Sequence, residues 1–593
     1  IVVALDRFYP EAAIPTKNTV TVETWQYPAL ALEEVLDYQD SVDIIRRGIS
    51  GVQADMTIRG STPEQTKFSI NGIAMNDPQT AHHNLDTGIP KGMVEKIQVA
   101  KASTATLWGQ GAMGGAVNLI TRKPDKNEGE AYFSYGTDET REDSLYASYN
   151  KDFFGINFSA EEAVSNGWRH DTDFRSVSLA SSALLKINKN ISSNLLLSYG
   201  EKEFGAAYFY GPYNSKEWTD TLLFNWSAEA KIDNFKLIPK LYFRRHHDKF
   251  MLDIERPDFY LNHHVTDIEG FQVETKTDLE GWGEVLAGVD INEEDLKSTR
   301  LGKGSRNRSS YFLSWHNYEN SIFGYDLSAG VDDYSDYETQ VSPQAGIFFI
   351  LHKNIKLRSA IAKATRTPTY TELYYDSPSS KGNKDLSVEK AMNYEAGVDL
   401  FLWYRESINT TENRRKSSPK AIFLGEGERS AQLSCTIFRR DSSGLIDWVK
   451  DNAGQSFYQA RNLTEVKTEG IETELSIKPF EPLKLKAGYV YIDSDIEKGF
   501  NYISRYALNN PDHKVTTEAD IILPIGTQNF RLIYKDRKGR SHYITAATTL
   551  SYEIVKGSSL FINVDNIFNS SYEDIENNTL PGREISAGAR VKF

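Results

Sequence analysis

The chain has 593 residues and an acidic balance, with 67 Lys and Arg against 82 Asp and Glu and a formal net charge of −15. That charge argues against a nucleic-acid-binding protein, which would carry a basic surface. The single cysteine, Cys435, excludes an internal disulfide and a cysteine-based metal site. The length exceeds that of one ordinary soluble domain, so we expect more than one domain.

Membrane-spanning helices are not predicted, because no apolar run approaches the ~18 residues that such a helix needs. The mean hydropathy of −0.49 would by itself classify the protein as soluble. Transmembrane β-barrels escape this test, since only alternate residues of their strands face lipid, and an aromatic content of 12% suits the girdles of such barrels. The chain begins at Ile1 without a signal-peptide pattern, so we expect a mature or trimmed form.

The first 124 residues predict a small unit of mixed helix and strand. Asn76–Asp86 is a polar, turn-rich loop with many hydrogen-bond donors and acceptors, and it is too polar to be a core element. The other predicted elements are extended chain at 1–25, a helix at 29–37 and short strands at 56–60, 68–73 and 94–99.

Gly109, Gly111 and Gly114 match the spacing of the dinucleotide-binding fingerprint. That motif requires a strand before the glycines and a helix after them. Here a β-branched run, 117–121, follows the glycines and Pro124 ends it, so nucleotide binding is not predicted. A glycine-kinked sheet with closely approaching backbone segments is the simpler interpretation.

From Glu130 onward, segments of about ten residues alternate apolar and polar side chains between turns. A period of two repeated along the chain, without intervening helical patterns, indicates a barrel with an apolar exterior and a polar lumen. At about 21 residues per strand and connection, residues 125–593 predict roughly 22 strands. In lipid such a sheet must close on itself, and a barrel this wide needs an internal plug. The last strand shows the pattern, with Ile585, Ala587, Ala589, Val591 and Phe593 on one face.

The N-terminal unit resembles the plug domain of TonB-dependent outer-membrane receptors. The resemblance rests on Ile58-Arg59-Gly60, Asn71-Gly72-Ile73, 94–99 and the segment from Trp108-Gly109 to Thr121, in this order and spacing. Further motifs of the same family follow along the barrel: Tyr394-Glu395-Ala396-Gly397, Glu469-Gly470-Ile471-Glu472, Asn510-Pro511 with His513-Lys514, and 564–569. The resemblance implies an all-β transmembrane barrel of about 22 antiparallel strands (125–593) with an N-terminal α+β plug domain (1–124) in its lumen.

The resemblance also implies a function. Members of this family are active transporters of the bacterial outer membrane, driven by the TonB–ExbB–ExbD complex, and they sit in outer-membrane lipid. The expected partners are therefore that complex, a small-molecule nutrient and a surface lipoprotein that caps the receptor, with no nucleic acid. Coupling to TonB is expected at Ile1, Val2, Val3 and Ala4, within a TonB-box remnant at 1–6. An enzyme is not expected, because the chain lacks a G-x-S-x-G elbow and a convincing nucleophile with its base.

The cargo is less constrained. Residues 76–86, 202–212, 242–250 and 262–267 resemble cobalamin (vitamin B12) receptors of Bacteroidetes-like bacteria, which implies import of a corrinoid. A receptor for a ferric siderophore or another iron or zinc chelate is the alternative. A passive pore or an adhesion barrel would share the strands but would not need a plug of about 120 residues.

An amphipathic ligand such as a corrinoid needs aromatic surfaces and polar groups in one cavity. Candidates for the aromatic surfaces are Tyr208, Phe209, Tyr210 and Trp218, although an interface girdle or loop packing explains such residues equally well. We expect the polar groups to face an outward-opening cavity, with the candidates Asn76, Asp77, Gln79, His82, His83 and Asn84.

Histidines occur in three adjacent pairs, at 82–83, 246–247 and 263–264. Neighbours on a strand point to opposite faces, so a strand pair does not readily chelate one ion. A loop pair can do so with help from elsewhere, since imidazole is a common zinc ligand. No cofactor is expected, although calcium in the outer loops is an alternative. Asp171 and Asp173 are weak candidates for it, because two carboxylates fall short of the six to eight oxygens that calcium takes.

Overall fold

The N-terminal segments form a small sheet because their strands are apolar enough to be buried on both faces. The computed structural model describes residues 19–23, 31–102, 109–317, 322–352, 354–405, 429–496, 503–505 and 509–593. Within these residues no helix is long and apolar enough to cross a membrane. The N-terminal elements are β1 (Thr19–Glu23), α1 (Leu32–Asp37), β2 (Val42–Arg46), β3 (Ala54–Ile58), β4 (Thr66–Ile70), β5 (Ile73–Ala74), β6 (Val94–Lys101) and β7 (Gly115–Thr121), with short 3₁₀ turns at Pro63–Gln65, Ala81–His83 and Lys91–Met93.

The central sheet of this unit has the order β1-β6-β7-β4-β5, and β2 pairs separately with β3. All seven residues of β7 are buried, which fits its largely apolar sequence, and the one amide in it, Asn118, is hydrogen-bonded to Gly72 N and Gln98. The glycines before it open a strand, so the structure confirms that they are not a dinucleotide-binding turn. At Gly114 a side chain would meet the carbonyl oxygen of Ile58 at 2.7 Å, so a close backbone approach requires glycine there.

The rest of the chain forms one closed antiparallel barrel. Its strands pair in chain order, and the last pairs with the first over Ser586–Lys592 and Glu130–Gly136. Two-residue strands, β21 (Ser380–Lys381) and β26 (Ile503–Ser504), extend its rim, while β31 (Glu573–Ile575) and β32 (Asn578–Thr579) form a separate hairpin.

The wall has 22 strands, as the chain length predicts. They are β8 (Glu128–Gly136), β9 (Arg141–Lys151), β10 (Phe154–Ser165), β11 (Phe174–Lys186), β12 (Ile191–Gly205), β13 (Lys216–Ile232), β14 (Phe235–Met251), β15 (Leu261–Leu279), β16 (Gly283–Ser298), β17 (Gly302–Asn317), β18 (Phe323–Tyr334), β19 (Gln340–His352), β20 (Ile355–Arg366), β22 (Glu389–Arg405), β23 (Arg429–Lys450), β24 (Tyr458–Phe480), β25 (Leu483–Ile496), β27 (Pro511–Leu523), β28 (Gly526–Arg537), β29 (Tyr543–Val555), β30 (Ser558–Asp565) and β33 (Glu584–Lys592).

Side chains alternate between the two faces of this wall. On β14 the polar residues Arg244, His246 and Asp248 are buried toward the lumen, whereas Leu241 is 44% exposed on the outside. The predicted outer face of the last strands is also confirmed, with Ile544, Leu550, Tyr552, Ile562, Ile585 and Phe593 exposed. An apolar exterior around a polar interior is the pattern of a barrel in lipid.

The N-terminal unit occupies the lumen as a plug. Its core residues Leu36, Phe68 and Leu119 form one apolar cluster with inward residues of the wall such as Leu196 and Ile268. One end of the barrel carries tight turns, at 152–153, 233–234 and 524–525, and the other carries long connections. We call the latter the long-loop end; its connections include 166–173, 206–215, 252–260, 367–388 and 566–583, and 367–388 contains α2 (Tyr370–Tyr374).

Candidate functional site

The apical loop, defined as residues 76–86, is held in shape by its own asparagines. The Asn76 side chain donates to Thr66 O and accepts from Phe68 N, both at 2.9 Å, which ties the start of the loop to β4. Asn84 Oδ1 accepts from Asp77 N at 2.9 Å and closes the loop across the turn at Ala81–His83. The polar composition that predicts a loop therefore also makes that loop rigid.

Asp77 fastens the apical loop to the barrel wall. Its carboxylate accepts hydrogen bonds from Arg244 at 2.8 Å and Thr266 at 3.0 Å, which project inward from β14 and β15. Burial favours the neutral acid, but Arg244, His246 and His83 together outweigh this effect and lower the pKa of Asp77 to about 2. The carboxylate is thus charged and paired with the wall.

The two loop histidines have different surroundings. His82 Nδ1 lies 2.6 Å from Asp55 of β3. Burial nevertheless lowers the pKa of His82, with the Asp55 carboxylate opposing this effect. His83 is 2% exposed and lies among the carboxylates of Asp86, Glu217 and Asp248. Burial again favours the neutral imidazole, but here Asp248 and Asp86 raise the pKa of His83 well above its ordinary value.

A polar cleft lies between the apical loop and the connection 367–388. The Pro78 and Gln79 carbonyl oxygens accept from Tyr370 N and Thr371 N, so the start of α2 rests on the loop. Burial and the nearby Arg308 guanidinium lower the pKa of Lys67, in the floor of the cleft, to about 7. The other polar residues that line the cleft include Glu64, Asn76, Asp77, Asn84, Gln110, Asn292, Glu294, Arg306, Arg308 and Arg366.

The predicted open cavity above the apical loop is only partly present. The loop lies toward the long-loop end, and Asn76, Asp77 and Asn84 line the cleft. However, Asp77, Gln79, His83 and Asn84 are buried and bonded to the wall or to the loop itself, so the expectation that all six candidates face an outward-opening cavity is wrong. The physical reason is that polar groups in a low-dielectric lumen need partners, and the inward face of the wall supplies them.

Sequence reasoning missed an ion-pair lock between plug and barrel. Arg59, which follows β3 with a φ of +52°, donates to Glu395 of β22 at 2.8 Å and to both carboxylate oxygens of Glu472 of β24. Lys101 joins Glu472 at 2.7 Å. Arg59, Glu395 and Glu472 each lie in a motif that carries the family resemblance. The sequence therefore marks these three residues, but it does not show that they form ion pairs with one another.

A second set of contacts joins α1 and β2 to β27 and β28, a few strands further along the wall. We call Lys514, Lys535 and Arg537 the cationic wall; they project inward from β27 and β28. Lys535 Nζ lies 2.8 Å from both Asp37 Oδ1 and Asp43 Oδ1. Arg537 forms a two-pronged pair with Asp43 at 2.8 and 2.9 Å.

A plug domain held inside a 22-stranded barrel is the fold expected of a TonB-dependent receptor. Comparison with family models decides whether the chain belongs to that family. Residues 101–567, more than half of the chain, match the family described as TonB dependent receptor-like, beta-barrel. Residues 15–116 match the TonB-dependent Receptor Plug Domain. The chain belongs to the TonB-dependent receptor family.

Relatives of this TonB-dependent receptor include vitamin B12 transporters. BtuB of Vibrio vulnificus is 20% identical over 97% of this chain and 91% of its own length. BtuB of Photobacterium profundum is 20% identical over 95% and 90%. These organisms lend no support to the expected resemblance to receptors of Bacteroidetes-like bacteria. The siderophore receptor PirA of Pseudomonas aeruginosa has the same fold, with a TM-score of 0.74 and 16% identity over 98% of this chain and 99% of its own.

The aromatic candidates of this receptor do not act as one group. Tyr208 and Tyr210 are 44% and 36% exposed in the connection 206–215. Phe209 between them is buried against Ile49, Val52 and Phe250. Trp218 was expected in the same cavity, and this is wrong. Its neighbour Glu217 points inward to His83, so Trp218 lies on the outer face of β13, where Lys216 and Lys249 cover its ring.

The remaining candidates are the two aspartates proposed for calcium and the residues proposed for coupling to TonB. Asp171 and Asp173 belong to the connection 166–173, and among the described residues they are not gathered with a third carboxylate or imidazole of metal-binding spacing. Asp171 lies 3.3 Å from His170. The expected TonB-coupling residues Ile1, Val2, Val3 and Ala4 fall outside the described residues.

Proposed function

We propose that this TonB-dependent receptor imports a corrinoid of the vitamin B12 class across the bacterial outer membrane. The observation that carries the proposal is the match to vitamin B12 transporters over 95–97% of the chain. The solved siderophore receptor shares the fold at 16% identity, which says nothing about cargo.

The plug argues for energised transport over passive diffusion. Its apolar core continues into the wall, and Arg59 and the cationic wall hold it by buried ion pairs. A solute as large as a corrinoid passes only if the plug is remodelled. In our proposal the TonB–ExbB–ExbD complex supplies that work through the N-terminal segment 1–6, and a surface lipoprotein caps the long-loop end.

The long-loop end offers chemistry that suits a flat amphipathic ligand. Tyr208, Tyr210 and Phe259 expose aromatic surface there, and the hydroxyls of Tyr260 and Tyr375 share a hydrogen bond of 3.0 Å. The cleft beneath supplies cations and amides for the polar substituents. Aromatic faces with a few placed polar groups are what a ligand pocket requires.

Ligand binding to the purified full-length receptor tests the proposal. Calorimetric titrations would compare cyanocobalamin with ferric enterobactin and another ferric siderophore in the same detergent. Saturable binding of cyanocobalamin alone, together with its uptake by a bacterial strain lacking its own vitamin B12 receptor, is the expected result. If a ferric siderophore binds and cyanocobalamin does not, the protein is a siderophore receptor and the corrinoid proposal is wrong.

Planar-bilayer conductance distinguishes an energised importer, of either a corrinoid or a siderophore, from a passive pore. The intact receptor is expected to remain closed because its plug packs against the wall. A large steady current through intact protein would overturn energised import.

A further inference from the structure

A group of buried ligand-type side chains lies where the apical loop meets β13 and β14. His83 comes from the plug, and Glu217 and Asp248 come from the wall. They are 2%, 2% and 4% exposed, so bulk water does not solvate them. One donor atom from each lies within 4.8 Å of the other two.

In direct contact, this group sets two carboxylates against one imidazole. Lys202 pairs with Asp86 at 2.7 Å. Among the described residues, the ion pairs of Glu217 and Asp248 run to His83, and Asp248 also accepts from the Gln79 amide at 3.3 Å. Even a protonated His83 balances one of these two carboxylates. Buried charge of this kind requires compensation, and a divalent cation supplies it.

Several ligand atoms in the group have no hydrogen-bond partner. Glu217 Oε2 and Asp248 Oδ1 are buried and unpaired in the described part of the structure. His246 is 1% exposed; its Nδ1 contacts Thr221 Oγ1 at 2.8 Å, while its Nε2 is buried without a partner. The rings of His246 and His83 lie 4.6 Å apart. Unpaired buried polar atoms are rare in folded proteins, and three of them belong to side chains in or beside this group.

Two of the three donor spacings in the group approach those around a small tetrahedral ion. His83 Nε2 lies 3.4 Å from Asp248 Oδ2 and 3.8 Å from Glu217 Oε1. Zinc bonds of about 2.0–2.2 Å in a tetrahedron place neighbouring ligand atoms roughly 3.3–3.6 Å apart. The observed distances require little adjustment to reach those values.

Asp86 orients the imidazole for this role. Its Oδ2 lies 3.2 Å from His83 Nδ1, and its other oxygen is held by Lys202. A proton on Nδ1 donated to Asp86 leaves the lone pair of Nε2 directed toward Glu217 and Asp248. A carboxylate behind a histidine is the usual outer-shell arrangement at protein zinc sites.

We propose that His83, Glu217 and Asp248 bind a divalent transition-metal ion of the zinc type, and that this ion clasps the plug to the barrel wall. Mixed imidazole and carboxylate ligands suit zinc better than calcium, which takes six to eight oxygens. The site is enclosed, so the ion is a structural bridge and not the transported cargo. The inference therefore goes beyond the proposed import function and does not depend on the identity of the cargo.

Metal analysis of the full-length receptor, purified without a polyhistidine tag, tests the clasp. The protein would be stripped with a chelator and titrated with Zn²⁺ by calorimetry, and with Co²⁺ by visible absorption. We expect one ion per chain and the intense absorption of tetrahedral cobalt. His83→Ala and the double variant Glu217→Gln/Asp248→Asn should lose this binding. Asp86→Asn should weaken it about 10–100-fold while every ligand remains.

His247→Ala is the matched control, because His247 neighbours His246 but lies on the outer side of β14 beside Asp220. It should bind Zn²⁺ like the parent. Heat-modified gel mobility and circular dichroism would establish that each variant is folded. A folded parent that binds no Zn²⁺, or a folded His83→Ala variant that binds it unchanged, would overturn the clasp. So would equal losses in the His247→Ala control and the site variants.

Discussion

The plug meets the barrel wall through opposite charge patterns on two of its sides. Toward the cationic wall, the plug contributes the carboxylates of Asp37 and Asp43. Toward β13 and β14 the wall carboxylates Glu217 and Asp248 face the plug imidazole of His83, beside the reverse pair of Arg244 with Asp77. The first side is neutralised by lysine and arginine groups, whereas at His83 two carboxylates face one imidazole.

This difference assigns different roles to the two sides. A buried ion pair adds little stability over apolar packing, but removing one partner is expensive because a charge is left buried. The balanced side therefore fixes the rotational position of the plug, since other positions would leave charges unpaired. The unbalanced side gains most from an added cation.

The largest expected effect, on uptake, comes from removing the N-terminal segment through which TonB is proposed to pull on the plug. Deleting residues 1–6 should abolish energised uptake while cyanocobalamin still binds, because binding needs the long-loop end and uptake needs the N-terminal segment. The pull should reach β1 first and then α1 and β2, so the cationic-wall side should yield before the His83 side. Uptake assays and calorimetry on the same variant measure both effects. Unchanged uptake would refute the assignment of this segment.

The next largest effect, on the docking of the plug, is expected from breaking the ion pairs of Asp37 and Asp43 with the cationic wall. Lys535→Met leaves Asp37 and Asp43 with less compensation and should cost about 3–5 kcal/mol of plug docking. Hydrogen exchange of α1 and β2 measures the loss. The control is Arg245→Met, which removes an exposed pair with Asp267 on the outer face of β14 and should cost under about 1 kcal/mol. Equal exchange in the two variants would contradict a docking role for the cationic wall.

A smaller effect is expected within the apical loop. Asn84→Ala leaves the Asp77 amide buried without an acceptor and should cost about 1–3 kcal/mol. Because Asp77 and His83 lie in the same loop, exchange should rise there and not in α1. Uniform protection across the loop, as in the parent, would show that Asn84 does not hold it.

The smallest effect is on ligand affinity at the long-loop end. Tyr208→Ala should weaken corrinoid binding by about 0.5–1.5 kcal/mol, the usual contribution of an aromatic contact. Trp218→Ala, on the outer face of β13, should leave affinity unchanged. Calorimetry would compare the two variants, and a greater loss for Trp218→Ala would reverse the assignment of faces.

The fold could be predicted because its signals are local and repeated. A period of two along each strand gives the inner and outer faces, and the chain length gives the strand number. The same rule predicts that adjacent histidines on a strand separate, and the structure confirms it: His246 is buried toward the plug and His247 is turned outward. Applied to β13, it would also have placed Trp218 outside, opposite Glu217.

The partners of the apical loop could not be predicted, because they lie far away in sequence. Asp77 and Arg244 are 167 positions apart, and Arg59 and Glu472 are 413 apart. Composition shows that these charges exist, but the closed barrel decides which of them meet. The sequence therefore predicts the loop as the polar floor of a cavity, although most of its polar groups are already hydrogen-bonded to the wall or within the plug.

The seam between β8 and β33 has a consequence for assembly. These strands pair although Thr137 and Ile585, beside the seam, are 448 positions apart. Until they meet, the sheet has two unpaired edges, which hydrocarbon does not tolerate. The pairing of β8 with β33 therefore closes the wall. Once these strands pair, the wall offers the plug no side entrance, and only the ends of the barrel remain open to it.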